Sequence, residues 1–188
     1  MRSRRALVGM AIVVTGLLAA GTTVGVTASA DGDDRNGSRV INVRLSGYQE
    51  DPLALSTTGT GKFRIVIDEG AQTIDYTLTY ASLEAPVTQA HIHLGGRAQS
   101  GGISAFLCSN LGNGPAGTQA CPPAPATVEG TIRATDVIGP TGQGIAPGEF
   151  SELLDAIRAR TTYVNVHSTK YPGGEIRSQL VQARHHHG

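Results

Sequence analysis

Apolar residues recur at every second position in short runs along this chain, a period that only extended strands with one buried face can use. In Val40–Gly47 (VINVRLSG), Ile41, Val43 and Leu45 share one face, and Asn42, Arg44 and Ser46 the other. Gly61–Asp68 (GKFRIVID) repeats this with Phe63, Ile65 and Ile67, and Thr73–Tyr80 (TIDYTLTY) with Ile74, Tyr76, Leu78 and Tyr80. Between the last two, Asp68-Glu69-Gly70-Ala71 reads as a hairpin turn. Further strands are expected at Thr88–Leu94, Ile103–Leu107, Thr127–Val137, Thr162–His167 and Glu175–Val181. The 25 glycines suit such short strands and tight turns. The expected fold is all-β: a Greek-key or immunoglobulin-like two-sheet sandwich, or a barrel.

One segment breaks the period. After Pro147, GEFSELLDAIRAR places Phe150, Leu153, Leu154 and Ile157 at i, i+3, i+4, i+7. Glu149 and Glu152 lie near its start and Arg158 and Arg160 near its end, as a helix dipole favours. A single short crossover helix covering one end of the core is expected. The two cysteines, Cys108 and Cys121, flank a Gly- and Asn-rich stretch, and a disulfide between them is expected. Two reduced thiols or metal ligands are the alternatives.

The amino terminus points to export. Arg2, Arg4 and Arg5 precede an apolar run from Ala6 to about Val26, and Ala28-Ser29-Ala30 supplies a signal-peptidase pattern. The expected organisation is a signal peptide at 1–30, a flexible leader at 31–39, one β domain at 40–182 and a disordered histidine-containing tail at 183–188. Retention of the leader as an anchor is the alternative to cleavage. Cleavage removes three arginines and no acid, leaving 12 basic against 15 acidic residues, a formal −3. That balance argues against a nucleic-acid partner. No second apolar run approaches the roughly 18–20 residues of a membrane span. An unidentified extracellular protein or cell-surface component is the expected partner.

Chemistry concentrates in the histidines. Outside the terminal run His185–His187 the chain has His91, His93 and His167. In Ala90-His91-Ile92-His93-Leu94 the two imidazoles share a face, with Ala90, Ile92 and Leu94 turned to the core. In YVNVH, Val164 and Val166 are the core pair, so Tyr163, Asn165 and His167 take the outward face. If the two strands are neighbours, three imidazoles meet at one solvated patch, a donor set suited to copper or zinc. Glu175 or water would stand near the remaining position, and Glu175 and Asn165 would orient the ligands. Such a site should lose metal as pH falls through about 6.5. The bland reading is three surface histidines, with His167 bonding Thr169 or a carbonyl to fix the turn into Pro172-Gly173-Gly174. No phosphate loop, GxSxG elbow, HExxH or convergent carboxylate pair is present, so no catalytic residue is assigned and no cofactor is required.

AHIHLGG (Ala90–Gly96), GGISAFL (Gly101–Leu107) and TYVNVHSTKYPGGEIRSQL (Thr162–Leu180) resemble the CHRD (chordin) domain, as do LSGYQEDP (Leu45–Pro52) and the SELLDAIRARTTYVNVH run. The resemblance covers Arg39–Gln182, with Ser178 standing where a glycine is expected. It implies an extracellular immunoglobulin-like β-sandwich or barrel without established catalytic activity. The His-x-His strand is also similar to that of copper/zinc superoxide dismutase, from which only His91 and His93 carry over. Three histidines cannot supply that enzyme's two-metal site, so catalysis of that type is not expected.

Overall fold

The computed structural model describes residues 38–181, so the expected signal peptide, most of the leader and the histidine tail lie outside the described residues. Eight strands form: β1 (Ser38–Ser46), β2 (Thr60–Asp68), β3 (Thr73–Ala81), β4 (Val87–Leu94), β5 (Ile103–Ser109), β6 (Ala126–Ile132), β7 (Thr162–Ser168) and β8 (Ile176–Gln179). Helix α1 (Phe150–Arg158) links β6 to β7. Most strand boundaries shift by one or two residues from the sequence reading, and two of the differences have a visible cause. Strand β1 begins at Ser38, inside the expected leader, because Ser38 and Arg39 pair with Asp68 and Ile67. Strand β6 ends at Ile132, where Arg133 N donates to Asp136 Oδ2 and a 3₁₀ turn takes over.

All pairings are antiparallel, and the strands form one sheet in the order β5-β4-β7-β8-β1-β2-β3-β6. Of the architectures left open, sandwich or barrel, the molecule is nearly a barrel. Its edge strands β5 and β6 are drawn together at a seam. Tyr76 Oη donates to Leu107 O across it (2.9 Å), and Ile138 N donates to Ser104 O (2.9 Å). Gly130 faces Tyr76 on β6, where a Cβ would lie 2.6 Å from the Tyr76 oxygen, so glycine lets the phenol reach over. Cys108 and Cys121 form the expected disulfide beside this seam.

The core is built from the inward residues of the alternation, including Ile41, Phe63, Ile65, Ile74, Leu78, Ile92, Val164 and Val166. Helix α1 adds Phe150, Leu153, Leu154 and Ile157, the face read from the sequence. Arg158 at its end pairs with Glu69 in the β2–β3 turn (2.6 Å), which sets the helix at that end of the barrel. The turn itself closes through Asp68 Oδ1, which accepts from Ala71 N (2.8 Å). No helix among the described residues is long and apolar enough to cross a membrane.

Leu153 is fully buried at the helix–sheet contact. Leu153→Ala should therefore cost about 2–5 kcal/mol through lost burial and a cavity. Urea unfolding of both proteins checks this; a difference under about 0.5 kcal/mol, typical of surface changes, would place the helix outside the core.

Candidate metal centre

Strands β4 and β7 are neighbours in the sheet. His91 faces Asn165, His93 faces Tyr163, and His167 faces Gln89, so all three imidazoles rise from one face of two adjacent strands. One ring nitrogen from each lies within 4.8 Å of the others. The nearest approach is His91 Nδ1 to His167 Nε2, 3.2 Å.

The expected solvated face is not solvated. His91, His93 and His167 are 1%, 7% and 5% exposed. Alternation separates two faces of a strand but does not say which is wet, and here loops roof the outer one. Segment Gly95–Gly102 is held by Arg177 Nη2, donating to Gly96 O (2.9 Å) and Gln99 O (3.0 Å), and by Gln179 Nε2, donating to Gly95 O (2.8 Å). His93 Nδ1 meets Gly101 O (2.9 Å), and His167 Nδ1 meets Pro172 O (2.9 Å). The last contact is the turn-fixing bond foreseen for His167.

These two contacts decide the tautomers. A carbonyl oxygen only accepts, so His93 and His167 carry their protons on Nδ1 and leave Nε2 as a bare lone pair. His167 Nε2 then accepts from His91 Nδ1–H in the metal-free site. His93 Nε2 and His91 Nε2 are buried without any partner. Imidazoles oriented by a carbonyl on one nitrogen and free on the other have the arrangement of metal ligands. Nitrogens about 2.0–2.1 Å from one tetrahedral ion stand about 3.3 Å apart, close to the 3.2 Å of the His91–His167 pair.

Burial keeps the ligands neutral. It lowers His91 to about 2, helped by the neighbouring His167 and His93. Burial also lowers His167 to about 4 against the opposing Pro172 carbonyl. His93 is lowered by burial too, with the Gly101 carbonyl opposing. The expectation of proton competition at about 6.5 assumed ordinary imidazoles, and burial shifts all three downward from that value.

Of the two residues expected to support the ligands, Asn165 lies beside the histidines with its Oδ1 unpartnered, and Glu175 faces elsewhere. Asn165 is buried between His91 and Arg177 in the strand register, beside both Glu50 and His93. Glu175 is buried, but its Oε1 accepts from Thr57 Oγ1 (2.7 Å) and Glu84 N (2.8 Å), and it is not among the convergent ligands. Three further residues were not singled out as site members. The Tyr163 ring stacks on His93 at 4.8 Å and 4°, and the Arg177 guanidinium lies 3.6 Å from the Tyr163 ring centre. Both share the alternation of the histidines and were open to the same reading. Glu50 follows a 3₁₀ turn and had no pattern to mark it. It fits beneath Gly174, where a Cβ would meet Glu50 Oε2 at 2.6 Å and Asn165 Nδ2 at 2.7 Å, and whose φ of 134° also demands glycine.

Burial pushes Glu50 up to about 8, against the attraction of Arg177. Folded, it keeps its proton to about pH 8; unfolded, only to its ordinary 4.5. Its contribution to stability is complete below 4.5 and is lost as pH rises to about 8. The lowered histidines act oppositely, adding stability as pH rises from about 4 to their ordinary 6.5. Metal-free protein should therefore be most stable near pH 6.5 and weaken toward pH 8, while Glu50→Gln stays flat over that interval. Urea denaturation at pH 6.5 and 8 checks this, and parallel curves for the two proteins would mean Glu50 ionises normally.

No significant match is found among curated proteins or among solved structures. A family model does match, and it spans β1 through β8, both histidine strands and α1. Over residues 41–180, the chain belongs to the CHRD domain family.

Proposed function

We propose that this chain is an extracellular, non-catalytic CHRD module that holds one copper or zinc ion on His91 Nδ1, His93 Nε2 and His167 Nε2. The observation carrying this reading is the pair of backbone carbonyls, Gly101 O and Pro172 O, that turn two Nε2 lone pairs into a buried cluster. A third donor, His91 Nδ1, lies at ligand–ligand distance from His167. Copper would bind more tightly than zinc on intrinsic affinity. The three donors leave a position for water or another exogenous ligand. The disulfide and the signal-like leader fit an oxidising, extracytoplasmic setting.

A metal-free reading rests on one specific contact. The 3.2 Å between His91 and His167 is equally spanned by a shared proton, which would make the cluster a buried hydrogen-bond network that holds the loops. In the metal-bound form the His91 proton moves from Nδ1 to Nε2, which has no other partner, and the ion takes the Nδ1 lone pair.

The test is calorimetry on the full chain with His185, His186 and His187 changed to alanine, so that the terminal run cannot bind metal itself. One Cu(II) per chain is expected, with affinity nearly constant from pH 7.5 to 5.5 and falling near pH 4. His167→Ala in the same background should weaken binding about 100-fold or more, with paramagnetic resonance losing one nitrogen coupling. Absence of stoichiometric metal, or equal binding by the His167→Ala protein while it remains folded, leaves the hydrogen-bond network as the correct reading.

A further inference from the structure

The outer surface of the barrel has two unlike halves. Loops roof β4, β7 and β8, but the outer face of β1 and β2 is bare, with Asn42, Arg44, Lys62 and Arg64 all exposed. Arg44 stands directly opposite Lys62 in the register, and Lys62 and Arg64 share a face two residues apart. Like charges directly opposite on a sheet repel. Among the described residues the ion pairs are Arg158 with Glu69 and Asp155, and Lys170 with Glu84. Among the described residues, none of the three face cations therefore has a carboxylate within 4.0 Å. The nearby acids are otherwise engaged: Glu129 accepts from Thr77 Oγ1 (3.4 Å) and Asp75 from Thr131 Oγ1 (2.6 Å).

The row continues across the sheet as Arg44, Lys62, Thr79 and Thr127. Two shallow depressions of about 650 and 660 Å³ lie on this face and share Arg44, Lys62 and Thr79, so they form one band. The band crosses four strands, roughly 15 Å at the usual inter-strand spacing. It offers cations and hydroxyls but no aromatic platform: Tyr80, beneath one depression, is 1% exposed. A single-stranded nucleic acid would need such stacking surfaces. A duplex would need a far more basic chain than one of formal charge zero.

We propose that this band binds an acidic polysaccharide, its carboxylate or sulfate groups neutralising Arg44, Lys62 and Arg64 and its hydroxyls meeting the threonines. The site is independent of the metal centre, which lies on the other half of the barrel. Bound anions remove the repulsion that the register builds into the free protein, and guanidinium groups suit planar or tetrahedral oxyanions. No covalent step is involved.

The probe is dextran sulfate, titrated against the full-length protein at pH 8, where the terminal histidines are neutral. Binding should be saturable, weaken steeply between 50 and 200 mM salt, and be absent with uncharged dextran. The Arg44→Gln/Lys62→Gln/Arg64→Gln protein should bind at least 10-fold more weakly, with an unchanged or higher melting temperature because the repelling pair is gone. Arg97→Gln, an exposed cation on the roofed half, should bind like wild type. Equal binding by the triple variant, or an equal loss in Arg97→Gln, would overturn the assignment. So would displacement by duplex DNA at the same charge concentration as readily as by free dextran sulfate, since the band would then be a patch without glycan preference.

Discussion

Two backbone carbonyls govern the chemistry of this molecule. Gly101 O and Pro172 O each accept a hydrogen bond from the Nδ1–H of a buried histidine. That choice sets which ring nitrogen is free, and it also ties two loops to the sheet. Without the carbonyls the imidazoles could adopt either tautomer and the loops would lose contacts that hold them over β4 and β7. With them, His93 and His167 are oriented, while burial keeps both rings neutral. Were an ion to bind, preorganisation of this kind would lower the cost, since His93 and His167 are already buried with their protons held on Nδ1.

The barrel makes this arrangement possible by separating two jobs. Its interior is filled with aliphatic and aromatic side chains and closed at the β5–β6 seam by Tyr76 and the disulfide. Its exterior along β4, β7 and β8 then carries polar groups under a second cover. That cover consists of main chain whose carbonyls need donors, and the strand residues supply them: Arg177, Gln179, His93 and His167. A buried carbonyl without a partner is costly, so donors and loops stabilise each other. Tyr163 adds apolar area between His93 and Arg177, stacking on one and carrying the charge of the other.

Much of the fold was legible because it rests on local periodicity. Each of the eight strands and the helix lies within a few residues of where alternation or the 3.6 period puts it, and Phe150, Leu153, Leu154 and Ile157 face the core as their spacing requires. The three histidines were legible as candidates for the same reason. Their convergence was not, because it depends on β7 lying beside β4, a long-range pairing that no local pattern records. Their burial was hidden more deeply still. The roof is irregular chain, Gly95–Gly102 and the segment after β1, and its position follows from side-chain donors meeting carbonyls rather than from any repeat. Glu175 illustrates the limit: alternation puts it in reach of the histidines, yet Thr57 and the Glu84 amide claim its carboxylate.

The same alternation writes polar residues on both outer halves of the barrel, but only one half becomes covered, and the reason lies in what each polar group requires. Histidine, asparagine and glutamine are satisfied by a few directional bonds, which a passing loop can provide from its main chain. Arg177 can also be buried because two carbonyls and an aromatic ring receive it. Arg44, Lys62 and Arg64 stand side by side, and loop carbonyls could not offset three adjacent like charges. Covering them takes countercharge, and among the described residues Glu129 and Asp75 form no ion pair with them. One half of the sheet could therefore be covered during folding, while the other half had to stay a surface.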